Sequence, residues 1–421
     1  MQKILLIIFF TAGLFAYAQE PAIQTKTDTI STIKEEKQHP LATGYFPVGF
    51  IDIDLKTLIK YNNYEGFRFG LGGRTNDKLF EKYSFSGYVA YGLIDKELKH
   101  GLGVSARVNK EKKSYINFYY RDDIKEIGTF EFYTDARVYS IFEPRLINII
   151  QFYKYKEWYA NYTSEVTPKF LLELRLAHSR IKNIENYFFI DHNEPFHNYI
   201  LSEASISARY SPKTNFLTNE DGTKEYYDGL PKFSGQITKG FKGIGGSNFN
   251  YTKLGLKIDY YIKRTDLSST NIILEGLLAT NDVPLTHLFH SYPNQPNKLT
   301  WTGRFSVAGV QSFETMHFGE FFSDRLTTLQ IKHGLRRFKL TDKWKPELFF
   351  ITRHAWGDIR DKDLHFGIPF NTLDHFYNES GVELNKILFG FGLSFAYRYG
   401  YYHLPTFEDN MSFKFTFYLK V

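Results

Sequence analysis

The sequence of 421 residues contains no cysteine, so it forms no disulfide bond, thiolate metal site or cysteine-linked lipid anchor. Beyond its N-terminus it also lacks any run of about 18 consecutive apolar residues, which argues against transmembrane helices. The excess of positive charge is small, at a net +6, and is too mild to indicate a nucleic-acid partner. These absences exclude a disulfide framework and argue against helical spans, but they do not set the fold class.

The N-terminus predicts export. A basic start is followed by a nearly unbroken apolar run over residues 4–15 and by the small-x-small motif AYA, which ends at Ala18. The apolar run is shorter than the roughly 20 residues that a spanning helix needs. We therefore predict a signal peptide over residues 1–18 and a largely flexible periplasmic lead over residues 19–60.

Aromatic residues are abundant, with 31 Tyr and 41 Phe, although the mean hydropathy is polar at −0.36. Many of them recur at every second position, and the clearest case is the C-terminus. There the apolar residues alternate strictly with polar ones, and they are Phe413, Phe415, Phe417, Leu419 and Val421. A strand places such a set on one face. We predict that this strand also carries the signal for insertion by the barrel-assembly machinery.

The same period of two recurs through much of the chain, for example over residues 85–93, 102–108 and 254–262, and the early connections are short and charged. A β-sandwich also alternates, but its strands are usually shorter than the roughly ten residues indicated here. We predict an all-β, transmembrane antiparallel β-barrel over residues 61–421. It is expected to have about 16 strands, with 14 as the next choice, and to be closed by its C-terminal strand.

If the apolar faces point to lipid, the polar alternates point into the lumen. The charged residues predicted to face the lumen are Arg68, Arg107, Arg121, Lys169, Glu173, Arg175, Lys253, Lys257 and Asp259. Their signs are mixed. A salt-bridge network across the lumen and a ring that sets ion selectivity therefore remain equally good interpretations.

Four stretches resemble an uncharacterised outer-membrane family of the Bacteroidetes. They are YNNYEGFRFGLGGRT (61–75), GYVAYGLIDKELKHG (87–101), GGSNFNYTKL (245–254) and EFFSDRLTTLQIKH (320–333). Members of that family usually join a carboxypeptidase-regulatory-like domain to a C-terminal barrel, and this chain looks like a barrel-only member. The resemblance marks a set of family-motif candidates, which are Glu65, Gly66, Arg68, Asp324 and Arg325.

The barrel half of that family is distantly similar to outer-membrane assembly and secretion barrels of the Omp-eighty-five class. Those barrels keep an Arg-Gly-aromatic motif on a loop inside the lumen. Here GLRRF (334–338) has the residue types but not their order. A translocase therefore remains an alternative without a supporting motif.

Two places carry residue types that catalysis or metal binding uses. THLFHSYPNQP contains His287, His290 and Ser291, but three or four metal ligands or a third catalytic group are missing, so solvated loop histidines are expected. Asp374 and His375 are sequence neighbours, and neighbours on a strand point to opposite faces. Neither place predicts an enzyme.

The sequence thus predicts a non-enzymatic integral outer-membrane barrel with a channel, transport or surface-structural role. An assembly or secretion component and, less favoured, a hydrolase are the alternatives. No cofactor, catalytic residue or metal site is expected. The expected partners are outer-membrane lipid, the barrel-assembly machinery during insertion and a periplasmic or surface protein.

Overall fold

The computed structural model of the protein describes residues 44–135, 145, 148–184, 186–218, 224–227, 229–281, 283–296, 306–336, 345–388 and 391–417. The predicted signal peptide, the start of the predicted lead, Leu419 and Val421 lie outside the described residues. The backbone of Phe417 is described.

Strands account for nearly all the regular structure. In chain order they are β1 (Tyr45–Val48), β2 (Ile51–Asp54), β3 (Ile59–Asn62), β4 (Gly66–Thr75), β5 (Tyr83–Gly92), β6 (Leu98–Asn109), β7 (Ser114–Glu126), β8 (Phe152–Thr167), β9 (Phe170–Asn183), β10 (Phe188–Asp191), β11 (Glu194–Phe196), β12 (Asn198–Tyr210), β13 (Asn215–Thr218), β14 (Lys224–Tyr227), β15 (Lys232–Gly240), β16 (Tyr251–Lys263), β17 (Ser269–Thr280), β18 (Pro293–Gln295), β19 (Phe313–His317), β20 (Arg325–Gly334), β21 (Glu347–Asp358), β22 (His365–Phe366), β23 (Tyr377–Leu388), β24 (Phe391–Tyr399) and β25 (Met411–Phe417).

The helical elements are short. They are the helix α1 (Leu55–Leu58) and three 3₁₀ turns, at Ile244–Gly246, Leu285–His287 and Lys362–Leu364. None of the helices in the described part of the chain combines the length and apolarity needed to cross a bilayer.

Eighteen of the strands form one large antiparallel sheet. From β4 to β25, each strand of this sheet pairs with the next one along the chain. On the other side of β4, β2 pairs with residues 73–75 and β3 with residues 66–69. Counting β2 and β3 as one interrupted strand, and leaving out the short β1, the sheet has 16 strands. The all-β antiparallel fold is confirmed. The 18 strands, or 16 by this count, lie close to the predicted number, whereas closure by the C-terminal strand stays a prediction.

The interruption between β2 and β3 is the helix α1. It begins after Asp54, whose carboxylate accepts a hydrogen bond from the backbone N–H of Lys56 at 3.0 Å. The helix lies so close to β4 that a side chain at Gly70 would come within 2.7 Å of the Thr57 carbonyl oxygen. The sheet therefore begins before residue 61, the predicted boundary, because a helical turn hides the period of its first strand.

The two faces of the sheet differ as the alternation predicts. One face, here the outer face, carries exposed apolar side chains on successive strands, among them Phe67, Leu71, Phe85, Val89, Leu102, Val104, Phe118, Leu176, Leu256, Phe395, Phe413 and Phe415. The inner face carries polar and small residues and is covered by two connecting segments. They are the inward segment (residues 283–296 and 306–324), between β17 and β20, and the β7–β8 piece (residues 127–135).

Because the sheet is an antiparallel meander, alternate connections lie at opposite ends. The turn end holds short connections such as residues 76–82, 110–113 and 168–169. The loop end holds most of the long connections, including the inward segment and the β7–β8 piece, whereas the connection from β12 to β15 lies at the turn end. The buried apolar cluster lies at the loop end, where aromatic side chains at the strand ends pack against the inward segment and the β7–β8 piece. Members of this cluster include Phe130, Tyr187, Phe189, Phe249, Phe289, Phe313, Phe322 and Tyr377.

Candidate functional site

The inward segment brings the histidine-containing stretch inside the molecule. His290 is only 5% exposed and Ser291 is buried, so the expectation of solvated loop histidines is wrong. A stretch rich in Pro, Asn and His usually lies in solvent because its polar groups need partners. Here the polar inner face of the sheet supplies those partners.

His290 is bound through both ring nitrogens. Its Nδ1 accepts a hydrogen bond from the Tyr292 backbone N–H at 3.1 Å, so its Nε2 donates to the Glu126 carboxylate at 2.9 Å. Arg145 also binds Glu126, with Nη1 at 2.8 Å from Oε2. The Ser291 hydroxyl has no hydrogen-bond partner among the described residues, so it is not joined to His290. The histidine therefore anchors the segment to the end of β7.

His287 and the exposed Asp374–His375 pair have separate surroundings. Burial, with a smaller effect from Lys253, lowers the pKa of His287 to about 3, which keeps this ring neutral near pH 7. The carboxylate of Asp374 lies 3.1 Å from Nδ1 of His375 at the surface. No cluster of three His, Asp or Glu residues suited to a metal ion occurs in the described ranges.

A buried ion pair joins the inward segment to the last strand. Lys414 on β25 and Glu314 on β19 are each 1% exposed. The Lys414 ammonium donates to Glu314 Oε2 at 2.7 Å, to the Glu314 carbonyl at 2.9 Å and to the Asn294 carbonyl at 2.5 Å. All three ammonium protons are thus used. Lys414, on the polar side of the last strand, therefore holds the inward segment.

Glu379 on β23 binds the same stretch of the inward segment from the other side. This carboxylate is fully buried and accepts from the backbone N–H groups of Glu314 and Thr315, both at 2.9 Å. The Thr315 hydroxyl donates to it at 2.6 Å and Arg353 of β21 at 2.8 Å. Both oxygens are therefore satisfied, as a buried charge requires.

A third pair holds the far end of the inward segment. Arg398 on β24 donates two hydrogen bonds to the Glu320 carboxylate, at 2.7 Å and 3.1 Å. Glu320 also accepts from the His317 backbone N–H at 3.0 Å. This bidentate geometry fixes both the position and the plane of the carboxylate.

The inward segment also reaches the backbone of the last strand. The Phe415 N–H donates to the Ser306 carbonyl at 3.1 Å, and the Ala308 N–H donates to the Phe415 carbonyl at 2.8 Å. Val307 and Phe415 form a parallel bridge. The edge of β25 that faces away from β24 is therefore occupied here by the inward segment. No ladder between β25 and the first strands occurs in the described part of the sheet.

Beside the inward segment, a cavity of about 2060 Å³ remains on the inner face of β4–β9. The cavity extends to the turn end, where Asp77 and Lys78 line it. At the loop end its wall includes Phe130 of the β7–β8 piece and Tyr292 of the inward segment. The rest of its wall is rich in tyrosine and arginine. The inner space is thus filled on the side of the last strands and open on the side of the first.

Most charges predicted to face the lumen lie on the inner face and are paired. The pairs are Arg68 with Asp123 (2.6 Å), Arg107 with Asp77 (2.6 Å), Arg175 with Glu157 (2.8 Å), Lys253 with Glu203 (3.4 Å), Lys257 with Asp135 (3.1 Å) and Glu173 with the Asn161 amide (2.8 Å). This arrangement favours the salt-bridge interpretation over a selectivity ring. Arg121 instead donates to the Tyr159 hydroxyl at 2.6 Å.

Two of the predicted lumenal charges behave differently. Lys169 is exposed in the two-residue turn between β8 and β9, so it does not face the cavity, because the alternation of β9 starts only at Phe170. Asp259 lies opposite Lys232 on the neighbouring strand. One of its carboxylate oxygens is buried without a hydrogen-bond partner among the described residues.

The family-motif candidates form two separate groups, and the first of them is buried. Glu65 is bound by the Lys99 ammonium at 2.9 Å and by the Asn62 amide at 2.6 Å. Gly66 follows with φ +66°, and a side chain there would collide with Ile94. Arg68 lies 3.5 Å from Glu65. This group holds the turn from β3 to β4.

The second group lies where the inward segment joins β20. The Asp324 carboxylate accepts from Arg360 Nε at 2.9 Å, and Arg325 donates to Asp358 at 2.5 Å. Both motif residues thus form charge contacts within the fold.

The sequence over residues 50–277 matches the model of the C-terminal domain of a family of unknown function, DUF5686. That is more than half of the chain. The protein belongs to the DUF5686 family. The prediction of membership in an uncharacterised family is confirmed. The match covers the first group of DUF5686 motif candidates and the cavity wall from β4 to β9, and it ends within β17.

The DUF5686 chain is also similar to solved structures at low identity. With BamA from Haemophilus ducreyi lacking POTRA domains 1–3, the identity is 13% over 85% of this chain and 68% of that one, with a TM-score of 0.49. With CdiB from Acinetobacter baumannii the identity is 13% over 85% and 57%, with a TM-score of 0.44. With CdiB from Escherichia coli it is 10% over 88% and 62%, with a TM-score of 0.43. The chain spans less than two thirds of either CdiB structure. No curated protein sequence matches the chain.

Sequence reasoning missed the residues that hold the inward segment in this DUF5686 chain. They are Glu314, Glu320, Arg353, Glu379, Arg398 and Lys414. One usable signal was present, since Glu379, Glu383 and Asn385 lie at even spacing on β23 and so share one face. That spacing marks one polar face but does not identify the partners.

Proposed function

We propose that the protein is a non-enzymatic, integral outer-membrane β-barrel held in an occluded state. In this proposal it serves as an assembly, secretion or surface-structural component rather than as a permanently open channel. The observation that carries the proposal is the inward segment, which fills one side of the inner space and is held by buried charges on β21, β23, β24 and β25.

The membrane location is supported by the chemistry of the two faces. Exposed apolar side chains recur along one face of nearly every long strand, and Leu102 is 68% exposed there. In water such a surface would lead to aggregation, whereas hydrocarbon solvates it. The inner face pairs its charges and borders an inner cavity, which is the arrangement of a lumen.

Occlusion is supported by the cost of moving the inward segment. The Lys414–Glu314 and Arg353–Glu379 pairs are both buried, and the Glu320–Arg398 pair is mostly so. Release of the inward segment separates Lys414 from Glu314 and Arg398 from Glu320, and it removes three hydrogen-bond donors from the buried Glu379 carboxylate.

Conductance in planar lipid bilayers tests the proposal. The refolded wild-type protein is expected to insert without steady ohmic current, and Lys414→Met is expected to show intermittent current steps because it removes one anchor. Lys154→Met, which breaks a partly exposed pair with Glu97, is the matched control and is expected to stay silent. Steady conductance of the wild-type protein would contradict occlusion. Recovery of the protein in the aqueous fraction without detergent would contradict the membrane location.

A gated channel is the second candidate, and the cavity of about 2060 Å³ favours it. In that case an added solute, rather than a variant, opens a stable current in the wild-type protein. The non-enzymatic part of the proposal is supported by His290, whose two nitrogens are both taken up by structural contacts.

A further inference from the structure

Arg121 lies on the inner face of β7 in the wall of the cavity. Its register neighbour on β8 is Glu157, so the pairing of the strands sets a carboxylate directly opposite the guanidinium. That carboxylate is nevertheless engaged elsewhere. It accepts from Arg175 Nη2 at 2.8 Å and from the Ser179 hydroxyl at 3.3 Å. The nearest acidic partner of Arg121 is thus bound to β9.

The next carboxylate along β7 is engaged as well. Asp123 accepts two hydrogen bonds from Arg68, at 2.6 Å and 2.9 Å, and one from the Tyr88 hydroxyl at 2.7 Å. With the Ile124 backbone N–H at 2.8 Å, both of its oxygens are satisfied. In the described part of the chain, neither flanking carboxylate forms a hydrogen bond or an ion pair with Arg121.

The guanidinium of Arg121 is held in place by tyrosines instead. One Nη2 proton goes to the Tyr159 hydroxyl at 2.6 Å. The guanidinium carbon lies 4.9 Å from the Tyr159 ring centre and 5.7 Å from that of Tyr119, and the two rings stack at 5.1 Å. A guanidinium has five N–H donors. Apart from the Tyr159 contact, the hydrogen bonds and ion pairs of the described residues use none of the others.

The other arginines of the cavity wall provide the contrast. Arg68, Arg107 and Arg175 each bind a carboxylate within 3 Å, and Arg74 binds Asp52 at 3.3 Å. Among the arginines that line the cavity, Arg121 is the one that does not pair with a carboxylate in the described part of the chain. An oriented cation with free donors, next to a water-accessible cavity, is an attractive site for an anion.

We propose that Arg121, oriented by Tyr119 and Tyr159, is an oxyanion-binding site that takes a carboxylate or phosphate group entering from the turn end. The planar guanidinium matches such groups by two parallel hydrogen bonds. The cavity of about 2060 Å³ is far larger than one ion. It therefore has room for a larger molecule that carries the anionic group as well as for a small soluble anion. The site does not depend on which membrane role is correct.

Equilibrium binding of small anions to the detergent-solubilised protein at low ionic strength tests this site. The probes are inorganic phosphate and acetate, with chloride as the comparison, and the readout is calorimetric titration. Arg121→Gln is expected to weaken binding of both oxyanions by roughly 10- to 100-fold, which corresponds to losing charge-assisted hydrogen bonds of about 1.5–3 kcal/mol. Arg107→Gln, in the same cavity but paired with Asp77, is expected to change it by less than about threefold.

Phosphate bound without acetate assigns a phosphate group, and comparable binding of both assigns a general oxyanion site. An equal loss of anion affinity in Arg121→Gln and Arg107→Gln would mean that only the average positive charge of the cavity matters, and it would overturn the site. Unchanged binding in Arg121→Gln, or no binding by the wild-type protein, would overturn it too.

Two further variants keep the test valid if Arg121→Gln does not fold. Arg121→Lys keeps the positive charge but loses the planar guanidinium, and Tyr159→Phe removes the hydroxyl that orients the guanidinium. Both are expected to bind more weakly than the wild-type protein, and wild-type affinity in both would also overturn the proposal.

Discussion

Replacing Lys414 by methionine isolates the strongest anchor of the inward segment. Methionine has nearly the same length but no charge, so the change removes one ion pair and two hydrogen bonds to carbonyl oxygens without leaving a large cavity. The Glu314 carboxylate stays buried. It keeps the Ser312 hydroxyl at 2.7 Å, the Asn294 amide at 2.8 Å and the Gly309 N–H at 3.0 Å as donors, but it loses the cation bonded directly to it.

The expected cost follows from that uncompensated charge. Removing one partner of a buried pair costs about 3–5 kcal/mol. Because each 1.4 kcal/mol is a factor of ten, local opening of the inward segment becomes between about 100-fold and about 4,000-fold more frequent. The sheet itself keeps its ladders, so the effect is confined to the inward segment and its neighbours.

Amide hydrogen exchange followed by mass spectrometry measures this opening. Peptides covering residues 306–317 are expected to exchange faster by that factor, while peptides from β5 and β6 stay as slow as in the wild-type protein. The double variant Lys414→Met, Glu314→Gln removes both charges and is expected to regain part of the protection. Lys154→Met, at a partly exposed pair, is expected to change exchange by less than about fivefold.

The reasoning is refuted if residues 306–317 exchange in Lys414→Met no faster than in the Lys154→Met control. It is also refuted if the double variant opens more readily than the single one, because the cost would then not come from an uncompensated carboxylate.

Three further predictions concern the packing, the outer face and pH. Gly70→Ala places a methyl group 2.7 Å from a backbone oxygen of α1 and is expected to lower the free energy of unfolding in urea by about 1–3 kcal/mol. Gly276→Ala, whose methyl group would meet no atom within 4 Å, is expected to be neutral, and equal effects of the two variants would contradict the close contact. Leu102→Arg on the outer face is expected to destabilise the protein in lipid vesicles by about 2–4 kcal/mol, and Ser105→Arg on the inner face by much less; the reverse order would contradict the assignment of the faces. Burial lowers the pKa of His365 to about 3, so the unfolded chain takes up a proton at higher pH than the folded protein does. The stability that this ring contributes above about pH 6.5 is therefore lost as the pH falls towards 3, and the free energy of unfolding falls by about 1.4 kcal/mol per pH unit. Exchange of residues 186–197 between pH 7 and pH 5, corrected for intrinsic rates, is expected to rise in the wild-type protein and to stay flat in His365→Gln, and parallel behaviour of the two would exclude His365 as the cause.

The strands and their faces were predictable because the signal is local. Alternation at period two fixes which side chains share a face, and it placed Phe413 and Phe415 on the outer face and Arg175 on the inner one. The first strand escaped prediction since α1 breaks its period after four residues.

The interior could not be predicted because its partners are distant in the chain. Lys414 and Glu314 are separated by 100 residues, and any lysine on the polar face of the last strand would look the same in sequence. Arg121 illustrates the same limit, since its free donors follow from Arg175 and Arg68 having taken the neighbouring carboxylates. The burial of His290 was misjudged because composition predicts a loop but not the surface on which the loop lies.

The buried charges that hold residues 306–324 of the inward segment share one property of chain order. Arg353, Glu379, Arg398 and Lys414 all come after the segment in the polypeptide, and Lys414 lies in the last strand. A nascent or truncated chain that lacks those strands has the His290–Glu126 contact to β7 but none of these four anchors. Under the proposed occlusion, residues 306–324 therefore become fully fastened only after the last strands have been put in place.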